Sequence, residues 1–146
     1  SLQETFVIED CDYYSTTTYT STTEINKTLL NSTACTVEFD LVKGATGSGA
    51  YLHIGTDSNN FIGVGLIGSG YYGFLIQHNG SRETTQTDSS LGNGTFHTIL
   101  TYNNGSITCV INNKTKTYTF TQPISKVLKA DCWSSGQIKN IKIKPL

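Results

Sequence analysis

Charge is scarce in this chain and long apolar runs are missing. Only 14% of the 146 residues are charged, and the net charge is -1 at pH 7. Neutralising a phosphate backbone takes a clustered Lys/Arg surface, so this balance argues against a nucleic-acid partner. The ten basic residues are scattered. The exception is Lys139, Lys142 and Lys144, which alternate with Ile141 and Ile143 as an edge strand would. No apolar stretch approaches the roughly 20 residues of a membrane helix, so insertion by a helix is not expected. Methionine is absent, and no targeting segment opens the chain. The expectation is a mature fragment, or one domain taken from a longer surface or virion protein.

Metal-ligand spacing is missing as well. Cys11, Cys35, Cys109 and Cys132 form no C-x-x-C pair, and no His stands at ligand spacing beside them, which argues against a zinc site. Two readings stay open: two disulfides, for which three connectivities exist, or four buried thiols packing as small hydrophobes. No phosphate loop, dinucleotide fingerprint or nucleophile elbow occurs. Gly68-Ser69-Gly70 before Tyr71-Tyr72-Gly73 reads as a hairpin, because no helix follows it.

What is abundant is Thr, Ser, Asn, Gly and Tyr, the composition of surface and secreted β-domains. Six N-x-S/T sequons occur, at Asn26, Asn31, Asn79, Asn93, Asn104 and Asn113. They fit an extracellular, cell-surface or virion location, although three carry Gly in the middle, as hairpin turns do. The length suits a single domain spanning 1–146 that buries roughly two-thirds of its unfolded surface.

Period-two alternation recurs along the chain, interrupted by turn residues. Strands are expected at Thr5–Glu9, Thr33–Val42, Ala50–Gly55, Asn60–Ile67, Tyr72–His78, Glu83–Thr87, Thr95–Tyr102, Ser106–Asn112, Lys116–Phe120 and Gln137–Lys144. Turn signals separate them, among them Asp57-Ser58-Asn59, Asn79-Gly80, Asn93-Gly94 and Asn104-Gly105. Tyr13–Thr23 reads as an extended surface strand or a loop, its Thr and Tyr favouring a strand. A short helical turn is expected within Thr121–Ala130, after Pro123. Strands at this spacing predict an all-β fold, a two-sheet antiparallel β-sandwich.

Alternation also assigns faces. Cys35, Val37, Phe39 and Leu41 point inward, which sends Glu38 and Asp40 outward. Ile107, Cys109 and Ile111 point inward too. Cys35 and Cys109 would meet if their strands faced each other across the sandwich, and Cys11 would meet Cys132 if the terminal strands paired. With Leu52, Ile54, Ile62, Val64 and Leu66 in the core, Tyr51 and His53 share the opposite side with Gly63 and Gly65. Glycine in a strand weakens it by about 1 kcal/mol and often marks close approach of a ligand. Two rings beside a glycine floor suit a stacked sugar. The alternatives are relief of crowding at a bend, or packing of a neighbouring chain.

The run Gly94-Thr95-Phe96-His97-Thr98-Ile99-Leu100-Thr101-Tyr102-Asn103-Asn104-Gly105, continuing through Ser106–Asn113, resembles a hallmark of the concanavalin A-like/laminin G-like jelly-roll superfamily. Phe96 replaces the commoner Trp, and Asn113 stands where Gly is usual. The preceding Glu38-Phe39-Asp40-Leu41, Tyr51-Leu52-His53-Ile54-Gly55 and Phe61-Ile62-Gly63-Val64-Gly65-Leu66 fit the same order. The resemblance spans residues 33–145 and implies a jelly-roll sandwich. Such domains recur in adhesins, lectins, carbohydrate-binding modules and viral tail-fibre receptor-binding domains, so fold alone does not fix function. Some glycoside hydrolases of this fold carry Glu-x-Asp-x-x-Glu. Here Glu38 and Asp40 are followed by Lys43 in place of the second Glu, which breaks the carboxylate pair that retaining hydrolysis needs. Laminin G-like relatives often hold calcium at a rim, where Asp57, Asn59 and Asn60 offer oxygens but one carboxylate, against an ordinary turn. Tyr71, Tyr72, Trp133, Gln77 and Arg82 add rings and donors for sugar hydroxyls.

The expectation is therefore a non-catalytic module that recognises a cell-surface glycan or receptor, without a cofactor, as part of an adhesin or viral tail fibre. A structural module that forms a homo-oligomer is the alternative, and a glycoside hydrolase stands third.

Overall fold

The computed structural model describes residues 13–29, 34–68, 71–88 and 91–146. In chain order the strands are β1 (Tyr13–Tyr14), β2 (Thr23–Thr28), β3 (Ala34–Lys43), β4 (Gly49–Asp57), β5 (Asn60–Gly68) and β6 (Tyr71–His78). They continue as β7 (Ser81–Asp88), β8 (Gly94–Asn103), β9 (Ser106–Ile111), β10 (Lys114–Thr119), β11 (Lys126–Trp133) and β12 (Gly136–Pro145). One sheet runs β1-β12-β3-β8-β9-β10 and the other β2-β11-β4-β5-β6-β7. Every pairing is antiparallel. The sandwich expected from the alternation is what the chain forms.

The inward residues of the two sheets make one core. Val37, Phe39, Leu41, Leu100, Ile107, Ile111, Ile138 and Ile143 meet Leu52, Ile54, Ile62, Val64, Leu66 and Phe74, all fully buried. Each such side chain stabilises the fold by about 1.5–3 kcal/mol. Two-residue hairpins set the register. Asn79-Gly80 and Asn104-Gly105 place both central residues at positive φ (49° and 83°, 45° and 91°). That geometry matches the twist of the flanking strands, and Asn-Gly reaches it at least strain.

Several expectations change. The helical turn near Pro123 is instead the start of β11, which pairs with both β2 and β4. Its register shifts between Val127 and Lys129, so the apolar alternation breaks phase there and does not read as a strand. β12 is not an edge strand: β1 and Tyr19 bond to its far side. The Tyr13–Thr23 run contributes β1 and that Tyr19 bridge. Tyr72 is not a displayed ligand contact. It is 1% exposed, with its hydroxyl 3.4 Å from the Ile111 carbonyl.

The Cys35–Cys109 disulfide does not form. Both residues are inside, but on the same sheet, with β8 between their strands. Two strand spacings are about 9.6 Å, beyond the roughly 7 Å that a disulfide spans between Cα atoms. Burial pushes the Cys109 thiol up to about 12 and the Cys132 thiol up to about 11, so both stay protonated and unreactive. Cys11, the Thr5–Glu9 strand, Asn31 and the Ser69-Gly70 turn lie outside the described residues, and the proposed Cys11 partnership with them.

On the outer face of the first sheet, Glu38 and Asp40 point outward as expected and clasp His97. Its Nδ1 is 2.9 Å from Asp40 Oδ1 and its Nε2 3.0 Å from Glu38 Oε2. A neutral imidazole has only one N–H, so a ring contacting two carboxylates through both nitrogens is the doubly protonated form. The hydrogen bond to Asp40 is the chief cause that raises the His97 pKa above 6.5. Burial alone would raise Asp40, but Asn140 and His97 hold it below its ordinary 3.8. The His97 contribution is full below pH 6.5 and is lost as pH rises through its raised value. Melting temperature should accordingly decline above pH 6.5, and His97→Gln should flatten that decline in a thermal-melt series.

Candidate functional site

The outer face of the second sheet is unusual for a solvent side, because its centre is apolar. Tyr51, Phe61 and Leu75 form a second buried cluster there, with Ile67 and Leu128 against it. Alternation along β4 sends Tyr51 and His53 outward, as expected. They are not open to solvent, however: Tyr51 is 8% and His53 4% exposed. The rings form a continuous ladder. Trp133 meets Tyr51 edge-on (5.5 Å), Tyr51 stacks on His53 (4.8 Å), and His53 stacks on Phe61 (4.5 Å).

The glycines make this ladder fit rather than leaving a bare floor. The Tyr51 ring lies across Gly63, where an added Cβ would sit 2.7 Å from its Cδ2. The Trp133 indole likewise occupies the space over Gly49. Gly65 is a backbone requirement: its φ is +138°, and an added Cβ would meet the Ala50 carbonyl and, at 2.9 Å, Leu41 Cδ1. The open glycine trough is thus corrected to a trough already filled by Tyr51. Gly63→Ala should lower stability by about 1–3 kcal/mol, the cost of overpacking, as urea melts will measure.

Beside the ladder lies a cavity of about 620 Å³. Tyr51, His53 and Phe61 form its ring wall, and Arg82, Lys126, Leu128, Lys129, Asp131, Glu24, Asn26 and the Thr56–Ser58 segment complete it. Three carboxylates (Glu24, Asp57, Asp131) face three cations (Arg82, Lys126, Lys129), so the lining has no net sign. The size falls within the roughly 300–1,000 Å³ of small-molecule sites.

His53 is the electrostatic centre. Burial first, then the Lys129 charge, depress its pKa to about 4 against the opposing pull of Asp131. The ring is therefore neutral at physiological pH. Among the described residues its buried Nε2 has no hydrogen-bond partner, and Asp131 Oδ2 stands 3.6 Å away. Asp131 is itself held in place, its Oδ1 accepting a 2.6 Å hydrogen bond from the Thr22 hydroxyl. Burial, and then Asp131, push the Tyr51 phenol up to about 12, so it stays a proton donor.

Of the residues singled out in the sequence, the structure brings together Tyr51, His53 and Arg82, with Trp133 at one end of the ladder. Gln77 supports Arg82: it accepts from Arg82 Nε at 3.3 Å and donates to the Gly80 carbonyl at 2.8 Å. Tyr71 is exposed at the start of β6, by the β5–β6 hairpin, away from the cavity. The side-chain oxygens offered for calcium by Asp57 and Asn60 accept hydrogen bonds at the two hairpin tips. Asp57 Oδ1 accepts from the Asn59 amide (2.8 Å), and Asn60 Oδ1 accepts from the Asn79 amide (3.0 Å). Among the described residues no cluster of three His, Cys, Asp or Glu side chains is placed to hold a metal. Lys43 points its Nζ to the Ala45 carbonyl (3.1 Å) and Asn93 Oδ1 (2.9 Å).

Sequence reasoning missed Lys129 and Asp131, because β11 itself was not legible. The signal was present: beyond the bulge Lys129, Asp131 and Trp133 alternate with buried Ala130 and Cys132.

The sandwich superposes on a homodimeric agglutinin from chicken liver with a TM-score of 0.61 at 11% identity, covering 84% of this chain and 100% of the other. A galectin from Caenorhabditis elegans gives 0.63 at 9% identity over 95% and 99% of the two chains. A carbohydrate-binding module from Bacillus subtilis gives 0.61 at 12% identity over 91% of each. No family model and no curated protein sequence matches the chain. Likeness at such identities establishes the fold, the jelly-roll, concanavalin A-like β-sandwich.

Proposed function

We propose that this chain is a non-catalytic module that binds a neutral glycan in the cavity on the outer face of its second sheet. The observation that carries this reading is His53: a buried ring nitrogen with no hydrogen-bond partner among the described residues, facing a carboxylate 3.6 Å away in a ring-lined cavity. Leaving such a group unsatisfied costs about 1–3 kcal/mol. A ligand hydroxyl removes that cost, because it donates and accepts at once. Set between His53 Nε2 and Asp131 Oδ2, it accepts from the ring in its Nε2–H tautomer and donates its one proton to the carboxylate. The Tyr51 and Phe61 rings offer an apolar wall to a sugar's C–H face. The names of two structural neighbours, an agglutinin and a carbohydrate-binding module, support the same reading.

The glycan is carried on a cell surface or receptor, and the module acts outside the cell as part of an adhesin or tail fibre. The sequons and the Thr/Ser/Asn-rich composition support this placement. Against a hydrolase, His97 bridges Glu38 and Asp40, and Lys43 takes the place of the further carboxylate.

A glycan array followed by calorimetry tests the proposal. Asp131→Asn should weaken the best neutral glycan about tenfold or more, the worth of a hydrogen bond to a charged group. The rival reading, a structural module whose apolar ladder packs against a second copy, is favoured if no glycan binds and sedimentation shows a stable dimer that Tyr51→Ala dissolves.

A further inference from the structure

Building on the glycan-binding reading, we infer that the ligand is an extended neutral oligosaccharide rather than a single terminal sugar, and that it runs from the His53 cavity over Arg82 into a second cleft. That cleft, about 510 Å³, opens where β7 and β10, the last strands of their sheets among the described residues, approach each other. Ile76 and Phe120 floor it, each 3% exposed. Tyr118 and Glu83 close it from opposite sheets, joined by a hydrogen bond from the Tyr118 hydroxyl to Glu83 Oε1. An apolar floor edged by a phenol, a carboxylate and the peptide groups of two edge strands suits a sugar ring with hydroxyls on its rim.

Arg82 lines both cavities. It stands on β7 beside the β6–β7 hairpin, with its Nε committed to Gln77. Its terminal Nη donors take no hydrogen-bond partner among the described residues, which leaves them to bridge adjoining sugars. The two hairpin tips that flank this crossing are locked together, the Gly80 amide donating to the Asn59 carbonyl at 3.1 Å. The path is therefore preformed, and ordering it costs little on binding. Each cavity alone is within the roughly 300–1,000 Å³ of a small-molecule site, so the pair offers more room than one ring fills. Arg82 is shared between the cavities, so beside His78 the whole path carries four carboxylates (Glu24, Asp57, Glu83, Asp131) against three cations (Arg82, Lys126, Lys129), a balance that disfavours an anionic glycan.

The test is an array of neutral oligosaccharides graded from one to six rings, with the positive series repeated by calorimetry. Affinity should climb with length by about a hundredfold before it levels off, the gain of linking two subsites. Two variants, Thr121→Trp to fill the cleft and Tyr118→Phe to free Glu83 without losing the ring, should reduce that long-to-short ratio toward unity. Affinity that is independent of length, or a ratio that both variants leave intact, overturns the extended path while the His53 site stands. Binding confined to anionic glycans also overturns it. Failure of every glycan to bind removes the functional reading and this inference with it.

Discussion

His53→Phe is expected to stabilise the fold by about 1–3 kcal/mol while lowering glycan affinity about a hundredfold or more. A substitution that improves a protein's stability while removing its binding is the signature of a residue kept for function. The imidazole is sandwiched between Tyr51 at 4.8 Å and Phe61 at 4.5 Å, with interplanar angles of 18° and 22°. A phenyl ring keeps that stacking and brings no buried nitrogen. Tyr51 and Phe61 then stack on an apolar neighbour, and the approximately 1–3 kcal/mol cost of the unsatisfied Nε2 disappears. The ligand hydroxyl loses its partner on the ring side, and Asp131 is left to bind it alone. Urea melts with parallel calorimetry measure both effects. Loss of stability in this variant would show that the nitrogen already serves the fold, and the site assignment would fall.

The second large effect is an acid limb in stability. His53 titrates near 6.5 in the unfolded chain and near 4 in the fold, held down by burial and by Lys129. Between those values the unfolded state binds more protons, so stability falls as pH falls. The native advantage is intact above pH 6.5 and is lost progressively toward pH 4, a total of about 3 kcal/mol at about 1.4 kcal/mol per unit. His97 acts in the other direction above pH 6.5, because its carboxylates favour the charged ring. Stability should therefore peak around pH 6.5. His53→Phe should flatten the acid side alone and His97→Gln the alkaline side alone. Chemical denaturation across pH 4–8 separates the two histidines, whose roles differ although each faces a carboxylate. His97 is half-exposed between two carboxylates, and His53 is buried with its nearest carboxylate oxygen 3.6 Å away.

Much of the fold could be read from side-chain alternation. The inward set Cys35, Val37, Phe39 and Leu41 is fully buried, and the outward Glu38 and Asp40 sit where the period put them. Asn-Gly pairs marked their hairpins because few other dipeptides accept two positive φ values. What was not legible came from three physical causes. A bulge in β11 shifts the alternation by one residue between Val127 and Lys129 and hides a strand that carries Asp131. β2 (Thr23–Thr28) has Ile25 as its one apolar side chain, too few to show a period. Alternation also gives a side chain's direction but not its cover. Tyr51 and His53 faced the expected way, yet Leu128 and the ring stacking with Phe61 and Trp133 cover them. Tyr72 was misassigned because Tyr71 and Tyr72 are adjacent, and composition could not say which of the two faces the core.

The chemical-shift map of a neutral-glycan titration tests the central claim most directly. A ¹⁵N-labelled sample titrated with the best array glycan should show its largest shifts at Tyr51, His53, Arg82, Lys129 and Asp131, with the His53 ring signals moving in a parallel ¹³C spectrum. Shifts confined to the Glu38, Asp40 and His97 face of the first sheet would contradict the account, as would a spectrum that no glycan changes.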